Sequence, residues 1–575
     1  MDQTARRLQN NVVGRRVLSL ALMAATSSLT AHADERVDLA TVHRIKAEAF
    51  QGSKVMDSLF WLTDANGPRL TGSPGLRAAQ EWALHALQGW GAANAHLEKW
   101  GIFGRGWSMS RFSASMVAPT YTPLQGIPKA WSGGTTGAVT AEVVLAPLFL
   151  PSELAESMDL NKVRSRIQKL SEEHKGKLQG KVVLLEMARD LELPSEVAST
   201  RYDEAKLAAL VVAPAPAPPS PVEWPITKVP SDPKKIREFL FSQPLAVQED
   251  YFERRAQAYN PLWAFLRAEG VAAVFMTDRR GDGGLVFAES VNGWNPKVGI
   301  PPPVIVLAPE PYDRLVRLVE KKIPVKVEVD LQVRYYEDNL DGLNVIAEIP
   351  GGKKKDEVVM LGAHLDSWHA GTGATDNAAG SATVLEAFRI LKALKLPMDR
   401  TVRLALWSGE EQGLLGSVGY VKTHFGDPVS MALKPEHAKF DAYFNLDNGS
   451  GKIRGVYLQG NDMVRPIFEQ WLMPFRDQGA STLTIRDTGG TDHQAFDGVG
   501  LPGFQFIQDP LDYATRTHHS SLDTYDHVQA GDLMQAAAIL ASFVYDAAMR
   551  PDPLPRKPLP KPMPPKKTTA GTENP

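Results

Sequence analysis

From residue 340 onward, short apolar runs alternate with helical stretches, and that alternation limits the fold more than any other feature. The runs are NVIAEIPG (344–351), EVVMLGAHLD (357–366), TVRLALWSG (401–409), FDAYFNLDN (440–448) and LPGFQFIQ (501–508). Each has the length and composition of a strand. Between the second and third, NAAGSATVLEAFRILKAL (377–394) puts Val384, Leu385, Phe388, Leu391 and Leu394 on one helical face. Strands that alternate with helices predict an α/β layered fold around a mostly parallel sheet. The pattern also locates a site, because ligands of such sheets bind just past the carboxyl ends of the strands.

The polar residues at those ends are of one kind. The second run leads into His364 and Asp366, the third into Glu410 and Glu411, and the fourth into Asp447. Asp376 starts the helix that follows the Gly371/Gly373 loop, and THHSSLDT (517–524) supplies His518 and His519. Two histidines and three carboxylates suit zinc, with manganese or cobalt also compatible. One histidine and one or two carboxylates per ion leave room for water, and a shared carboxylate sets two ions about 3.5–4 Å apart. Asp376 is the candidate bridge, since it lies between the early histidine and the later acids. Adjacent acids on extended chain point in opposite directions. One of Glu410 and Glu411 therefore coordinates, and the other is free to take a proton from the attacking water. These residues alone choose neither between the two glutamates nor between His518 and His519. Asp366 is placed to hold the second ring nitrogen of His364 and so fix its tautomer.

Composition narrows the rest. The 575 residues suffice for two to four domains, and a net charge of −3 recruits neither nucleic acid nor an anionic membrane. With no cysteine, disulfides, thiolate metal sites and a thiol nucleophile are excluded. Arg15 and Arg16 precede the apolar VLSLALMAATSSLTA, which closes on Ala31-His32-Ala33. This is the pattern of a cleaved export signal, with maturation near Asp34, and it predicts a secreted or periplasmic protein with no membrane association after cleavage. GAVTAEVVLAP (137–147) and LQGKVVLLEM (178–187) predict strands of a separate module, which also contains the proline-rich connection 213–225. The Pro/Lys-rich tail is expected to be disordered. A single Asp-Thr-Gly (487–489) lacks the partner an aspartic protease needs, and neither H-E-x-x-H nor G-x-S-x-G occurs. His369 and His424 are expected to be structural.

The motifs GAHLDSW, GATDNAAG, LWSGEEQGLLGS, NLDNGSG, GGTDHQAF and THHSSLDT, spread over 362–524, together resemble the co-catalytic dizinc exopeptidases, the family of carboxypeptidase Q and secreted bacterial aminopeptidases. A weaker likeness extends to GPRLTGSPG (67–75) and to the middle block, which resembles a protease-associated domain. The resemblance implies a three-layer α/β zinc-exopeptidase fold with a mixed, mostly parallel central sheet and an inserted, mainly-β module. The expected order is signal peptide 1–33, first part of the peptidase domain 34–121, insert 122–328, main part 329–549 and tail 550–575. It further implies two Zn²⁺ per chain held by His364, Asp376, Glu411, Asp447 and His519. Glu410 becomes the general base, Asp366 its support, and His493 a neighbour of bound substrate. The implied substrates are peptides or dipeptides, and relatives suggest a homodimer. Three other readings fit less well. Amidohydrolases of N-acyl amino acids carry their extra domain after the glutamate pair, and glutaminyl cyclases typically use one zinc. A binding protein on the same fold would have lost ligands.

Overall fold

The computed structural model describes residues 35–567, except 192–194, 196, 217–222, 231, 233–234, 237–238 and 241. The export signal expected at 1–33 lies outside the described residues. Two eight-stranded sheets organise the chain. The main sheet contains β1 (Ala93–Ile102), β10 (Asp341–Ile349), β11 (Lys354–His364), β12 (Arg400–Trp407), β13 (Phe440–Asn445), β14 (Ile453–Tyr457), β15 (Thr482–Thr484) and β16 (Gly503–Gln508). The second contains β2 (Gly106–Ala118), β3 (Thr122–Pro123), β4 (Gly126–Pro128), β5 (Val139–Leu145), β6 (Val182–Leu184), β7 (Ala273–Thr277), β8 (Val304–Leu307) and β9 (Lys326–Tyr336).

The main sheet runs β1-β10-β12-β11-β13-β16-β14-β15. Its central four strands are parallel, and β1, β10 and β14 run antiparallel to neighbours, so the sheet is mixed with a parallel centre as the alternation predicts. Side chains alternate between its faces. Met360, Ala405 and Trp407 pack with Tyr420, Val421, Phe425 and Phe496 on one side. The intervening Val359, Leu361, Leu404 and Leu406 are buried beneath helices Ala379–Ala393 and Ala530–Met549. The first of these helices is buried nearly all round, not on one face. Its opening Ala-Gly-Ser-Ala lets the backbone approach closely, and Ser381 Oγ donates to the carbonyl of His364 at 2.7 Å.

Register decides where the strands finish. His364 lies opposite Trp407, and Gly362 opposite Asn445. The ends of β11, β12 and β13 therefore lie at one level. A buried hydrogen-bond chain locks that level: Trp407 Nε1 donates to Tyr443 Oη (2.7 Å), which donates to Asn445 Oδ1 (2.6 Å). Asn445 Nδ2 donates in turn to Thr491 Oγ1 and Gln505 Oε1.

Every strand from β2 to β9 belongs to the second sheet, so the insert spans at least Gly106–Tyr336, wider at both ends than the 122–328 expectation. The reason is that β2 and β9 form a long antiparallel ribbon that enters and leaves the main sheet beside β1 and β10. The mainly-β expectation covers only this sheet. Helices Leu160–His174, Leu245–Glu269 and Pro309–Glu320 accompany it, and the first two pack together over a core containing Val163, Leu170, Leu262 and Leu266.

The tail corrects a second expectation. Up to residue 567 it lies along the surface in extended form and is held throughout. Leu554 N donates to Asp441 Oδ1 at 2.7 Å, Lys557 pairs with Asp497 at 2.6 Å, Met563 N donates to the Val429 carbonyl at 2.8 Å, and Lys566 meets Asp250. Proline pre-extends such a segment, so little entropy is lost when it docks. Among the described residues no helix is long and apolar enough to cross a membrane.

Replacing Tyr443 with Phe leaves the Trp407 N–H and Asn445 short of a buried partner. We expect a loss of about 1–3 kcal/mol in urea unfolding with unchanged m-value.

Candidate metal centre

At the shared edge of β11, β12 and β13, the carboxylate of Asp376 stands between two imidazoles. Its Oδ1 lies 3.3 Å from His364 Nε2, and its Oδ2 lies 3.2 Å from His519 Nε2. Asp447 Oδ1 is 3.3 Å from His364 Nε2, and Glu411 Oε2 is 2.9 Å from His519 Nε2. Glu410 Oε2 stands further off, 3.9 Å from His364 Nε2. Among the described residues, three overlapping triads could hold a cation: His364/Asp376/Glu411, His364/Glu410/Asp447 and Asp376/His518/His519, each with ligand atoms within 4.8 Å of one another. The fit to metal is shown by what these oxygens lack. Asp376 Oδ2, Glu411 Oε1 and Asp447 Oδ1 are buried without a hydrogen-bond donor. Leaving a buried charged oxygen unpartnered is costly, and a divalent cation is the partner that suits all three.

The imidazoles are oriented for that role. His364 Nδ1 donates to the Asp366 carbonyl at 3.0 Å. A carbonyl can only accept, so the proton is on Nδ1 and the Nε2 lone pair faces the cluster. His519 Nδ1 faces the carboxylate of Glu289, 3.1 Å away, which leaves its Nε2 to the cluster as well. His519 has a φ of +62°, a conformation that costs a non-glycine residue about 1–2 kcal/mol and must be held by its surroundings.

Three braces hold the loops. Arg69 is fully buried, and its guanidinium donates to the carbonyls of Leu62, Leu365, Thr372 and Gly373 at 2.6–2.8 Å. It thus ties together both ends of the loop that carries His364 and Asp376. Burial pulls its pKa down to about 10, against the opposing pull of Asp523. Asp523 accepts from Thr375 N and Thr375 Oγ1, and its backbone carbonyl accepts from Thr372 N and Gly373 N. Gly373 has a φ of +69°, and a Cβ there would lie 2.3 Å from that of Ser367. Only glycine fits at that position. The third brace is the Asp366 carboxylate. It accepts from the backbone N–H of both Glu410 and Glu411, at 3.3 Å each, and from Thr71 Oγ1 at 2.9 Å.

Burial raises the pKa of Glu410 well above the usual carboxylate range, with His364 opposing and Asp447 and Asp492 reinforcing. Glu411 is pushed up to about 7 by the same cause. Like charges crowded out of water produce this where no cation is present.

Residues 344–544 match the family described as Peptidase family M28. The chain is 30% identical to carboxypeptidase Q of Rattus norvegicus over 259 residues, 45% of this chain and 52% of the relative. The chain thus spans about half the length of the curated relatives it matches. Among solved structures, a peptidase M28 precursor from Shewanella amazonensis SB2B superposes with a TM-score of 0.58 at 22% identity, covering 91% of this chain and 98% of the other. A zinc aminopeptidase from Bacillus subtilis gives a TM-score of 0.51 at 18% identity, covering 88% and 97%. At these identities the structural likeness speaks for the fold.

The M28 segment contains all five expected ligands, and the structure brings all five together. Two expected helpers stand differently. The Asp366 carboxylate lies 3.8 Å from His364 Nδ1; its backbone carbonyl orients that ring, while the carboxylate sets the glutamate turn. His493, expected beside substrate, is completely buried, and its Nε2 donates to the Thr488 carbonyl at 3.0 Å. It anchors its own loop, and burial lowers its pKa to about 4. His518 stacks on His519 with ring centres 3.8 Å apart, and its Nε2 is 3.7 Å from Asp376. His424 pairs with Glu98. Arg69, Thr71 and Glu289 were not singled out from sequence. The first two lie within GPRLTGSPG, whose glycines and proline mark a turn and reveal no contact with the metal centre. Glu289, in the insert, carried no signal.

His369 is structural, as expected: its Nε2 donates to the Pro128 carbonyl at 2.7 Å, and burial lowers its pKa to about 4. As pH falls below 6.5 the unfolded chain takes up this proton first, so stability is full above that pH and declines toward 4. His369→Gln keeps a donor for Pro128. It should lose about 2 kcal/mol less than the parent between pH 7 and pH 5, read from urea midpoints at the two pH values.

Proposed function

We propose that the chain is an exported two-zinc exopeptidase that hydrolyses a terminal bond of short peptides or dipeptides. The observation that carries this reading is the division of Asp376, with one oxygen toward His364 and Asp447 and the other toward His519 and Glu411. His364, Asp376 and Asp447 would hold one ion, and Asp376, Glu411 and His519 the second. When bound, the pair would supply Lewis-acid stabilisation of charge developing on the scissile carbonyl. The names of similar proteins, a carboxypeptidase and a zinc aminopeptidase, favour terminal-bond hydrolysis. The expected signal at 1–33 favours export.

Glu410 is the general base. It takes the proton of the attacking water on its carboxylate and returns it to the nitrogen of the leaving amine. Asp366 keeps Glu410 and Glu411 facing opposite tasks by gripping both of their backbone N–H groups. Trp368, with its ring centre 6.0 Å from that of His519, also packs on Trp131 of the insert, and His518 stacks on His519.

Three substrates test the reading on the zinc-loaded chain from Asp34 onward: a free dipeptide, its N-acetyl form and its C-terminal amide. Loss on acetylation alone marks an aminopeptidase, loss on amidation alone a carboxypeptidase, and loss on both a dipeptidase. No turnover of any of the three with two zinc ions bound overturns the proposal. Glu410→Gln should lower kcat by about 10²–10⁴-fold while zinc content stays at the parental level. Parental kcat in this variant would remove Glu410 from its role.

A further inference from the structure

The two halves of the metal centre are supported from different parts of the chain. His364 is oriented within its own loop, by the carbonyl of Asp366 two residues on. His519 has no such local partner. Its Nδ1 faces Glu289, 230 residues away in the insert. Glu289 is itself fixed: Arg280 Nη2 donates to it at 2.9 Å, while the same guanidinium pairs with Asp278 at 3.0 Å and lies 4.5 Å from the centre of the Phe287 ring. The backbone next to His519 is also held by the insert. Phe287 and Ser520 form an isolated antiparallel bridge, Ser521 N donates to the Val286 carbonyl at 2.9 Å, and Arg516 pairs with Asp282. These contacts surround the one ligand with a left-handed backbone.

We propose that Glu289 is a positioning residue supplied by the insert to the His519 half of the metal centre, so that occupancy of that half depends on the insert being seated. The inference rests on the two-zinc reading and deepens it. Glu289 touches no substrate. It fixes the ring direction and tautomer of His519, so that Nε2 faces Glu411 and Asp376. A carboxylate behind a ligating imidazole also makes the imidazole a stronger donor. Through Glu289 the insert would orient a ligand of the second ion. The ring of His364 is oriented without Glu289, by the Asp366 carbonyl.

The test is equilibrium zinc binding to the metal-free chain in calibrated zinc buffers. The parent is expected to bind two ions. In Glu289→Ala one ion should bind about 10–100-fold more weakly and the other with parental affinity. Glu289→Gln, which keeps an acceptor oxygen for Nδ1–H, should fall between the two. In a His519→Ala background, where that half has lost its imidazole, Glu289→Ala should have no further effect. Turnover of Glu289→Ala should return toward the parental value as zinc is raised, which a misfolded site would not allow. If the alanine variant does not fold, the glutamine variant is judged by the same readings. Two ions with parental affinities in a folded Glu289 variant would overturn the inference alone. A parent that binds fewer than two ions at saturation would overturn the two-zinc reading and the inference together.

Discussion

The structure is arranged around one electrostatic problem: the Asp376 carboxylate, nearly sealed from water, shares its surroundings with Glu410, Glu411 and Asp447. Carboxylates this close cannot all stay ionised in an apolar setting on their own. Two dications would balance four such charges and would also give Asp376 Oδ2, Glu411 Oε1 and Asp447 Oδ1 the partners they lack. Without cations, the same crowding raises the pKa of both glutamates.

The rest of the fold brings these groups together and keeps them there. Parallel strands in register end at one level, and the Trp407–Tyr443–Asn445 chain holds that level. Arg69 donates to carbonyls from both sides of the glycine loop, Asp523 closes the loop from below, and Asp366 fixes the glutamate turn. Each brace uses backbone groups that would otherwise be buried and unsatisfied, so positioning the ligands and satisfying the loop come from the same bonds. The insert adds the last constraint, from outside the M28 segment.

The candidate site residues were legible in the sequence because strand ends and ligand chemistry are local properties, while the choice of Glu411 over Glu410 and of His519 over His518 came only from the family resemblance. His364, Glu410, Glu411 and Asp447 follow apolar runs directly, and Asp376 and His519 stand in glycine- or serine-rich loops. The parallel sheet centre followed from alternation for the same reason. The braces were harder to see. Arg69 reads as an ordinary charged residue until the fold buries it against residue 373. Glu289 reads as a surface acid until the insert folds back onto His519. The role of Asp366 was half legible: its spacing from His364 was right, but the chain direction gave the imidazole the backbone carbonyl and left the carboxylate for the glutamates. The 122–328 boundaries missed β2 and β9 because a ribbon leaving one sheet for another has the same strand pattern on both sides. The tail's prolines and lysines matched a disordered composition, whereas Asp250, Asp441 and Asp497 far along the chain are what hold it.

The most direct test of the central claim is a crystal structure of the zinc-loaded chain with anomalous scattering recorded at the zinc edge. The account predicts two peaks about 3.5–4 Å apart, one on each side of Asp376, with His364 and Asp447 on the first and Glu411 and His519 on the second. A single peak, or two peaks that do not share Asp376, would contradict it.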